Sequence, residues 1–281
     1  MVPEKIGFPP PLLGDQPWRL RVFDWQERLL ALEKPVGVLV DPHPWYPKSP
    51  SLVAALAAQA EADKPELAGF EFGRVHGVGF LDAEIAGAAL IAADKIAAAH
   101  WRDLAGSDQI EWTFEVIARP IAPPETALGK RGGTIESAEA FACELPLIGE
   151  DASAQTRVSH RFGKRSRTCF QRDPTFEAVA DWQCWTARVR LNRPHQVRLH
   201  AFESGLRVAG EKLYLDEHEA IAAPKDTLPG PLVRLASISL PQAGARQRII
   251  KIPPLDYWRR ALRTLAKPRA SAARLPKKSL Q

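Results

Sequence analysis

The chain has 281 residues, of which 45% are hydrophobic and 25% are charged, so it can bury a sizeable core. The formal net charge is +5, a moderate excess that favours a polyanionic partner. No run approaches the roughly 20 apolar residues of a membrane-spanning helix, and the acidic, proline-rich start lacks the apolar segment of a secretory signal. We therefore expect a cytoplasmic protein with no membrane contact.

The first part of the chain predicts strands and one helix. Residues 1–19 are rich in proline and are predicted to form an extended N-terminal arm. Ser51 can cap a helix, because Leu52, Val53 and Leu56 recur behind it at helical spacing. Three short apolar runs separated by turn residues predict strands; they are residues 20–22, 29–32 and 36–40.

The remainder adds further strands, a helix and a basic end. Residues 94–104 predict a helix, and residues 257 onward predict a basic helix followed by a disordered tail. Apolar alternation predicts strands at residues 110–117, 176–179, 184–191, 197–201 and 232–240. Because strands outnumber helices and do not alternate with them, we expect an α+β fold with a long mixed or antiparallel sheet and flanking helices.

The cysteines and histidines do not indicate a metal site. Cys143, Cys169 and Cys184 cannot all pair, and none lies in a CxxC motif, so we expect reduced thiols. His195 and His200 lack the HExxH or cysteine partners of a zinc site. We expect neither a metal nor a cofactor.

The most polar stretch of the sequence runs from residue 191 to residue 200 and contains two arginines, two histidines and a glutamine. If residues 197–201 form a strand, Gln196, Arg198 and His200 share one face, while Val197 and Leu199 enter the core. Such a face is either a cationic binding wall or an ordinary solvated surface. Its residue types alone leave both interpretations open.

This stretch resembles the signature TGR-x-HQ-[IL]-R-[VL]-H, followed by G-x-P-I-x-G-D-x-x-Y, of the RluA-type pseudouridine synthases. The residues that match in register are Arg193, His195, Gln196, Arg198, His200, Gly205, Gly210 and Tyr214. Three further segments match in the family's chain order: residues 34–37 resemble its KPxG motif, residues 80–87 its RLD-x-x-[TS]-S-G motif, and residues 234–236 the start of its RLxLHA strand. The resemblance implies a catalytic domain over residues 20–255 with a central cationic cleft, followed by the basic C-terminal segment, residues 256–281.

The resemblance also implies a chemistry and a set of site residues. The enzyme would detach uracil from its ribose and rejoin it through carbon, with Asp82 as the carboxylate that acts at the sugar. Arg198 would pair with Asp82, because a neighbouring guanidinium favours the ionised carboxylate and fixes its direction. The implied substrate-binding residues are Phe114, Phe80, Arg193, His195, Gln196, Lys34 and Leu235. The implied RNA-binding residues, in the basic stretch, are Arg165, Arg167 and Lys164.

Several residues depart from the family pattern near the implied site. Phe80 replaces an arginine, Ile85 and Ala86 replace a Thr-Ser pair, and Phe114 replaces a tyrosine that stacks on the target base. Glu211 stands where the family has aspartate. We therefore expect a monomeric RNA pseudouridine synthase acting on ribosomal or transfer RNA, with a catalytically impaired RNA-binding relative as the alternative.

Overall fold

The protein is described by a computed structural model that covers residues 2–44, 46–121, 139–149, 155–179, 181–215, 228, 230–242, 244 and 246–266. Within these ranges the chain forms mainly antiparallel sheets with few helices. The predicted α+β class is confirmed. The predicted disordered tail falls largely on residues 267–281, which lie outside the described ranges.

The first five strands form the N-terminal sheet, with the order β1-β2-β3-β5-β4 and antiparallel pairing throughout. The strands are β1 (Lys5–Phe8), β2 (Trp18–Gln26), β3 (Leu29–Lys34), β4 (His76–Val78) and β5 (Gly87–Ala92). β1 lies inside the predicted arm, yet it pairs with β2 over its whole length and buries Ile6 and Phe8. These two residues make the segment part of the core.

The C-terminal sheet contains seven strands in the described chain, with the order β14-β13-β6-β11-β10-β7 and with β12 paired to β6. A separate two-stranded sheet joins β8 to β9. The strands are β6 (Glu111–Pro120), β7 (Ala140–Cys143), β8 (Leu147–Gly149), β9 (Thr156–Val158), β10 (Thr168–Arg172), β11 (Gln183–Val189), β12 (Leu206–Val208), β13 (Val233–Gln242) and β14 (Arg246–Lys251).

Four helices and one 3₁₀ turn flank the sheets in the described residues. They are α1 (Leu52–Glu61), the 3₁₀ helix Pro65–Phe70, α2 (Lys95–Gly106), α3 (Gln196–Glu203) and α4 (Asp256–Leu265). Ser51 and Asp94 cap α1 and α2 through side-chain oxygens that accept backbone N–H bonds, and the cap at Ser51 is the one that the sequence predicted. Among the helices of the described ranges, none is long and apolar enough to cross a lipid bilayer.

The two larger sheets meet beside residue 86. Ala86 forms a parallel bridge with Arg234, and its carbonyl accepts the Leu235 N–H at 3.0 Å. Gly87 is required at this junction, because a Cβ atom there would lie 2.5 Å from the Leu235 Cβ. The loop before β5 is thereby held against the C-terminal sheet.

Three predicted strands are absent from the described structure. Residues 36–40 contribute only an isolated bridge from Leu39 to Ser51, and residues 176–179 only a bridge from Val179 to Trp182. Residues 197–201 belong to α3, whose residues from Gln196 to Ala201 are all buried. The alternation of polar and apolar residues there does not separate an inner from an outer face, because the polar side chains find buried partners.

His200 is a polar residue of α3 whose side chain has buried hydrogen-bond partners. Its Nδ1 lies 2.8 Å from the Thr168 hydroxyl and its Nε2 lies 3.0 Å from the Leu145 carbonyl, with no exposed surface on the side chain. The Leu145 carbonyl can only accept, so Nε2 carries the proton, and in the neutral imidazole Nδ1 then accepts from the Thr168 hydroxyl, which also accepts from the Gln196 amide. Burial lowers the pKa of His200 to about 4, against a weaker opposing effect from its bond to the Leu145 carbonyl.

We predict that His200 makes the stability of the protein depend on pH between about 6.5 and 4. Its pKa is lower in the folded chain than in the unfolded chain, so the stabilisation is complete above pH 6.5 and is lost as the pH falls toward 4. The contribution is ~3 kcal/mol. Urea unfolding of the wild type and of His200→Gln at several pH values tests this.

The comparison at pH 8 gives the cost of the substitution itself. The difference in unfolding free energy between the two proteins should then shrink as the pH falls to 4. An unchanged difference over that range contradicts the prediction.

Candidate active site

Asp82 lies in the loop of residues 79–86 between β4 and β5, which we call the Asp82 loop. Its side chain is 4% exposed. A turn closes this loop, because the Ile85 N–H donates to the Asp82 carbonyl at 3.1 Å. The Ala83 carbonyl accepts from the Gly37 N–H at 2.8 Å, which ties the loop to the segment after β3.

The beginning of α3 points at Asp82. The His195 N–H donates to Asp82 Oδ1 at 3.0 Å, so this carboxylate caps the helix from a distant part of the chain. His195 adopts a left-handed backbone conformation with φ of 55°, which a non-glycine residue rarely takes.

Arg198, in the first turn of α3, contacts the other carboxylate oxygen. Its Nη1 lies 3.3 Å from Asp82 Oδ2, and the two side chains are 2% and 4% exposed. The same Nη1 lies 3.5 Å from an oxygen of the half-buried Glu84. The structure therefore brings together Asp82 and Arg198, the two residues that the resemblance implied as the catalytic pair.

Glu211 is a partner of Arg198 that the sequence did not predict. Arg198 Nε donates to Glu211 Oε2 at 2.7 Å, and Nη2 donates to Oε1 at 2.8 Å. Burial opposes the charge on both side chains, but their mutual contact outweighs it: the pKa of Arg198 is raised and the pKa of Glu211 is lowered. The available signal was an acidic residue at the aspartate position of the family's GDxxY turn.

Lys34 approaches the Asp82 loop from the interior. Its Nζ donates to the Pro35 and Ala83 carbonyls, each at 3.2 Å, and the side chain is fully buried. Burial lowers the pKa of Lys34 to about 7, although the charges of Asp82 and Glu84 act in the opposite direction. Lys34 thus contacts the backbone beneath the loop and does not line the cavity beside Asp82.

A small cavity opens next to Asp82. Its lining residues are Phe80, Leu81, Asp82, Ile85, Phe114, Asn192, Arg193, Gln196 and Val197. Its volume is about 10 Å³, roughly the space that one water molecule needs. Leu235 pairs with Phe114 across β13 and β6 and is buried behind this lining.

Arg193 and Gln196 connect the cavity to the basic loop, residues 163–167. The Gln196 amide donates to the Arg167 carbonyl at 3.0 Å, and Arg193 Nε donates to the Arg165 carbonyl at 3.0 Å. Burial lowers the pKa of Arg193. Lys164, Arg165 and Arg167 have exposed side chains, with Arg167 paired to Glu144 at 3.2 Å. The loop therefore presents positive charge beside the cavity.

His195 joins the site to Tyr214. Its Nδ1 lies 2.8 Å from the Tyr214 hydroxyl, which donates to the Thr156 carbonyl at 3.0 Å and accepts from the Thr156 N–H at 3.2 Å. Because the single hydroxyl proton goes to that carbonyl, His195 donates from Nδ1. In a neutral His195, Nε2 is therefore an acceptor.

The ligand atoms of Asp82, Glu84 and His195 lie within 4.8 Å of one another, a spacing that could hold a metal ion. However, the Arg198 guanidinium already contacts both carboxylates. A divalent cation in that position would face a permanent positive charge. This donor set fits a guanidinium better than a metal.

Known structures share this architecture. Human RNA pseudouridylate synthase domain containing 4 aligns with a TM-score of 0.60 at 15% identity, covering 87% of this chain and 92% of that chain. Human RNA pseudouridylate synthase domain containing 1 aligns with a TM-score of 0.57 at 14% identity, covering 86% and 87%. The chain has the pseudouridine synthase fold. No protein-family model and no curated protein matches the sequence.

We predict that Arg198→Met destabilises the protein by about 3–5 kcal/mol, because it leaves Asp82 and Glu211 buried without their cation. Urea unfolding at pH 7 measures the change. Arg190→Met is the matched control, since Arg190 is 61% exposed and its pair with Glu111 contributes less than about 1 kcal/mol. Equal losses of unfolding free energy in the two variants would show that the buried ion pairs of Arg198 stabilise the protein no more than an exposed pair does.

Proposed function

We propose that the protein is an RNA pseudouridine synthase that isomerises a specific uridine in structured ribosomal or transfer RNA. The observation that carries this proposal is the buried contact between Asp82 and Arg198 inside this fold. Both structural neighbours named above are pseudouridylate synthase domain proteins. The motif resemblance at residues 34–37, 80–87 and 193–214 supports the same conclusion independently.

In this proposal Asp82 acts at the sugar, either as a nucleophile or by starting a glycal route. The His195 N–H and Arg198 Nη1 each donate to one carboxylate oxygen, which fixes the direction of the group. Phe114 forms the wall against which the uracil ring rests, backed by Leu235. Phe114 has no hydroxyl, so proton transfer at the base falls to other groups.

The remaining assignments follow from position. The target nucleotide and the basic loop would be oriented by Arg193, His195 and Gln196. Phe80 would contact the nucleotide at the rim of the cavity. Lys34 would hold the Asp82 loop from below. Lys164, Arg165 and Arg167 would bind phosphates. We further propose that the protein works in the cytoplasm as a monomer without a metal or cofactor.

The second candidate function is an RNA-binding relative with impaired chemistry. The small size of the cavity favours it, because a uracil ring does not fit beside Asp82 until the lining moves. The phenylalanines at positions 80 and 114 favour it as well. Against it stands the retention of both buried charges of the Asp82–Arg198 pair, which would be costly to keep without a use.

The main test is the Asp82→Asn variant. We expect it to form no pseudouridine while its dissociation constant for RNA stays within about threefold of the wild type, because the amide keeps the shape and loses the charge. Pseudouridine mapping in RNA from cells with and without the protein identifies the substrate, and binding is measured on that RNA.

Asp181→Asn is the control for this test, since its side chain is 84% exposed and does not line the cavity. It should keep wild-type activity. If no uridine changes anywhere when the protein is removed, the impaired RNA-binding relative is the better description.

A separate test concerns the basic loop. We expect Arg165→Gln with Arg167→Gln to weaken RNA binding and to reduce the slope of log K against log salt by about 0.7–0.9 for each lost phosphate contact. Arg246→Gln with Lys251→Gln is the control, because both side chains are exposed on β14 at the opposite edge of the sheet. If both pairs of substitutions have the same effect, the basic loop is not the binding surface.

A further inference from the structure

Glu211 occupies two of the three nitrogen atoms of the Arg198 guanidinium. Nε and Nη2 lie 2.7 Å and 2.8 Å from its oxygens, whereas Nη1 lies 3.3 Å from Asp82. The stronger partner of Arg198 is therefore Glu211, and Asp82 shares the remaining nitrogen atom, Nη1, with the half-buried Glu84 at 3.5 Å. Glu211 therefore determines which nitrogen atom of Arg198 faces Asp82.

Glu211 is itself held rigidly. Its Oε1 accepts the N–H groups of Lys212 at 3.0 Å and Leu213 at 2.9 Å, so the carboxylate is fixed by the backbone of its own turn. The preceding Gly210 has φ of 73° and fits closely against another segment, because a Cβ atom there would lie 2.2 Å from the Gly230 carbonyl oxygen. The Arg198 guanidinium also lies over the Tyr214 ring, 5.7 Å from its centroid.

These contacts keep the Nε and Nη2 edge of the Arg198 guanidinium on Glu211, so that only Nη1 faces Asp82. Without Glu211, the guanidinium would be free to form the bidentate arrangement that arginine prefers with a carboxylate. Such an arrangement would place guanidinium N–H groups on both oxygens of Asp82, so that Oδ1 would accept a second bond beside that of the His195 N–H and fewer lone pairs would remain free. With Glu211 present, Asp82 accepts one bond on each oxygen, which leaves acceptor capacity on a residue that lines the cavity.

We propose that Glu211 is a positioning residue, which acts through Arg198 to keep Asp82 in a reactive orientation. The inference rests on the proposed pseudouridine synthase activity and assigns to the site a residue that does not line the cavity. Glu211 does not contact the substrate in this proposal. Its loss should therefore lower the rate of the chemical step and leave RNA binding unchanged.

The experiment compares kcat and KM of the full-length wild type, Glu211→Asp and Glu211→Gln on the RNA in which mapping finds the modified uridine. We expect kcat to decrease in the order wild type, Glu211→Asp, Glu211→Gln. The glutamine variant should lose about 10- to 100-fold in kcat, the range expected for misplacing a catalytic group by about 1 Å, with KM within about twofold. The aspartate keeps the charge but reaches less far, so its loss should be smaller.

Glu115→Gln is the matched control. Glu115 forms a similar two-bond pair with Arg234, with distances of 2.6 Å and 2.8 Å, on strands of the same sheet. This variant removes a carboxylate from an Arg–Glu pair without touching Arg198. We expect it to lose stability and to keep kcat within about twofold of the wild type.

Three outcomes would overturn the inference while leaving the proposed function intact: wild-type kcat in Glu211→Gln, an increase in KM alone, or an equal loss of kcat in Glu115→Gln. If Glu211→Gln does not fold, Glu211→Asp decides, and wild-type kcat and KM in that variant count against the proposal. If the wild-type protein forms no pseudouridine, the proposed function fails first and this inference fails with it.

Discussion

The burial of Asp82, Arg198 and Glu211 together is the constraint on which the rest of the site depends. An ionised group inside a protein loses several kcal/mol of hydration free energy, and only close opposite charge and hydrogen bonds offset that loss. Here one guanidinium contacts the two buried carboxylates, and backbone N–H groups of residues 195, 212 and 213 complete the set of donors. Each buried charge is therefore tolerated only while its partners and these donors are in place.

This requirement fixes how the two halves of the protein meet. Asp82 comes from the loop before β5 in the N-terminal sheet, whereas Arg198 and Glu211 follow the strands of the C-terminal sheet. The bridge between Ala86 and Arg234 and the close approach of Gly87 to Leu235 bring the halves together four to five residues beyond Asp82. Packing at residues 86 and 87 thus positions Asp82 for its contact with Arg198. In turn, separating the two sheets would break that buried ion pair and destabilise the protein.

Much of the fold could be predicted from local patterns, and the charged centre could be predicted only in part. The helix cap at Ser51, the helix that follows residue 94 and the long strand through Phe114 follow from propensity and periodicity. α3 was mistaken for a strand because its polar residues satisfy one another inside the core, so the polar and apolar positions do not mark faces. Glu211 was missed because a partnership between residues 13 apart depends on how the turn folds, which no period in the sequence encodes.

Under the proposed function, a nucleotide can enter the small cavity beside Asp82 only if part of the lining moves. Phe114 and Leu235 lie in paired strands, and Arg198 is fixed by Glu211, so none of these yields easily. The rim is different, because Phe80 is 36% exposed and is held across the cavity mouth by a bond from the Asn192 amide to its carbonyl. Local opening in proteins draws on such segments, with exposed hydrogen bonds and few buried contacts. Under the proposed function, admission of a base beside Phe80 would not require the contact between Arg198 and Glu211 to break.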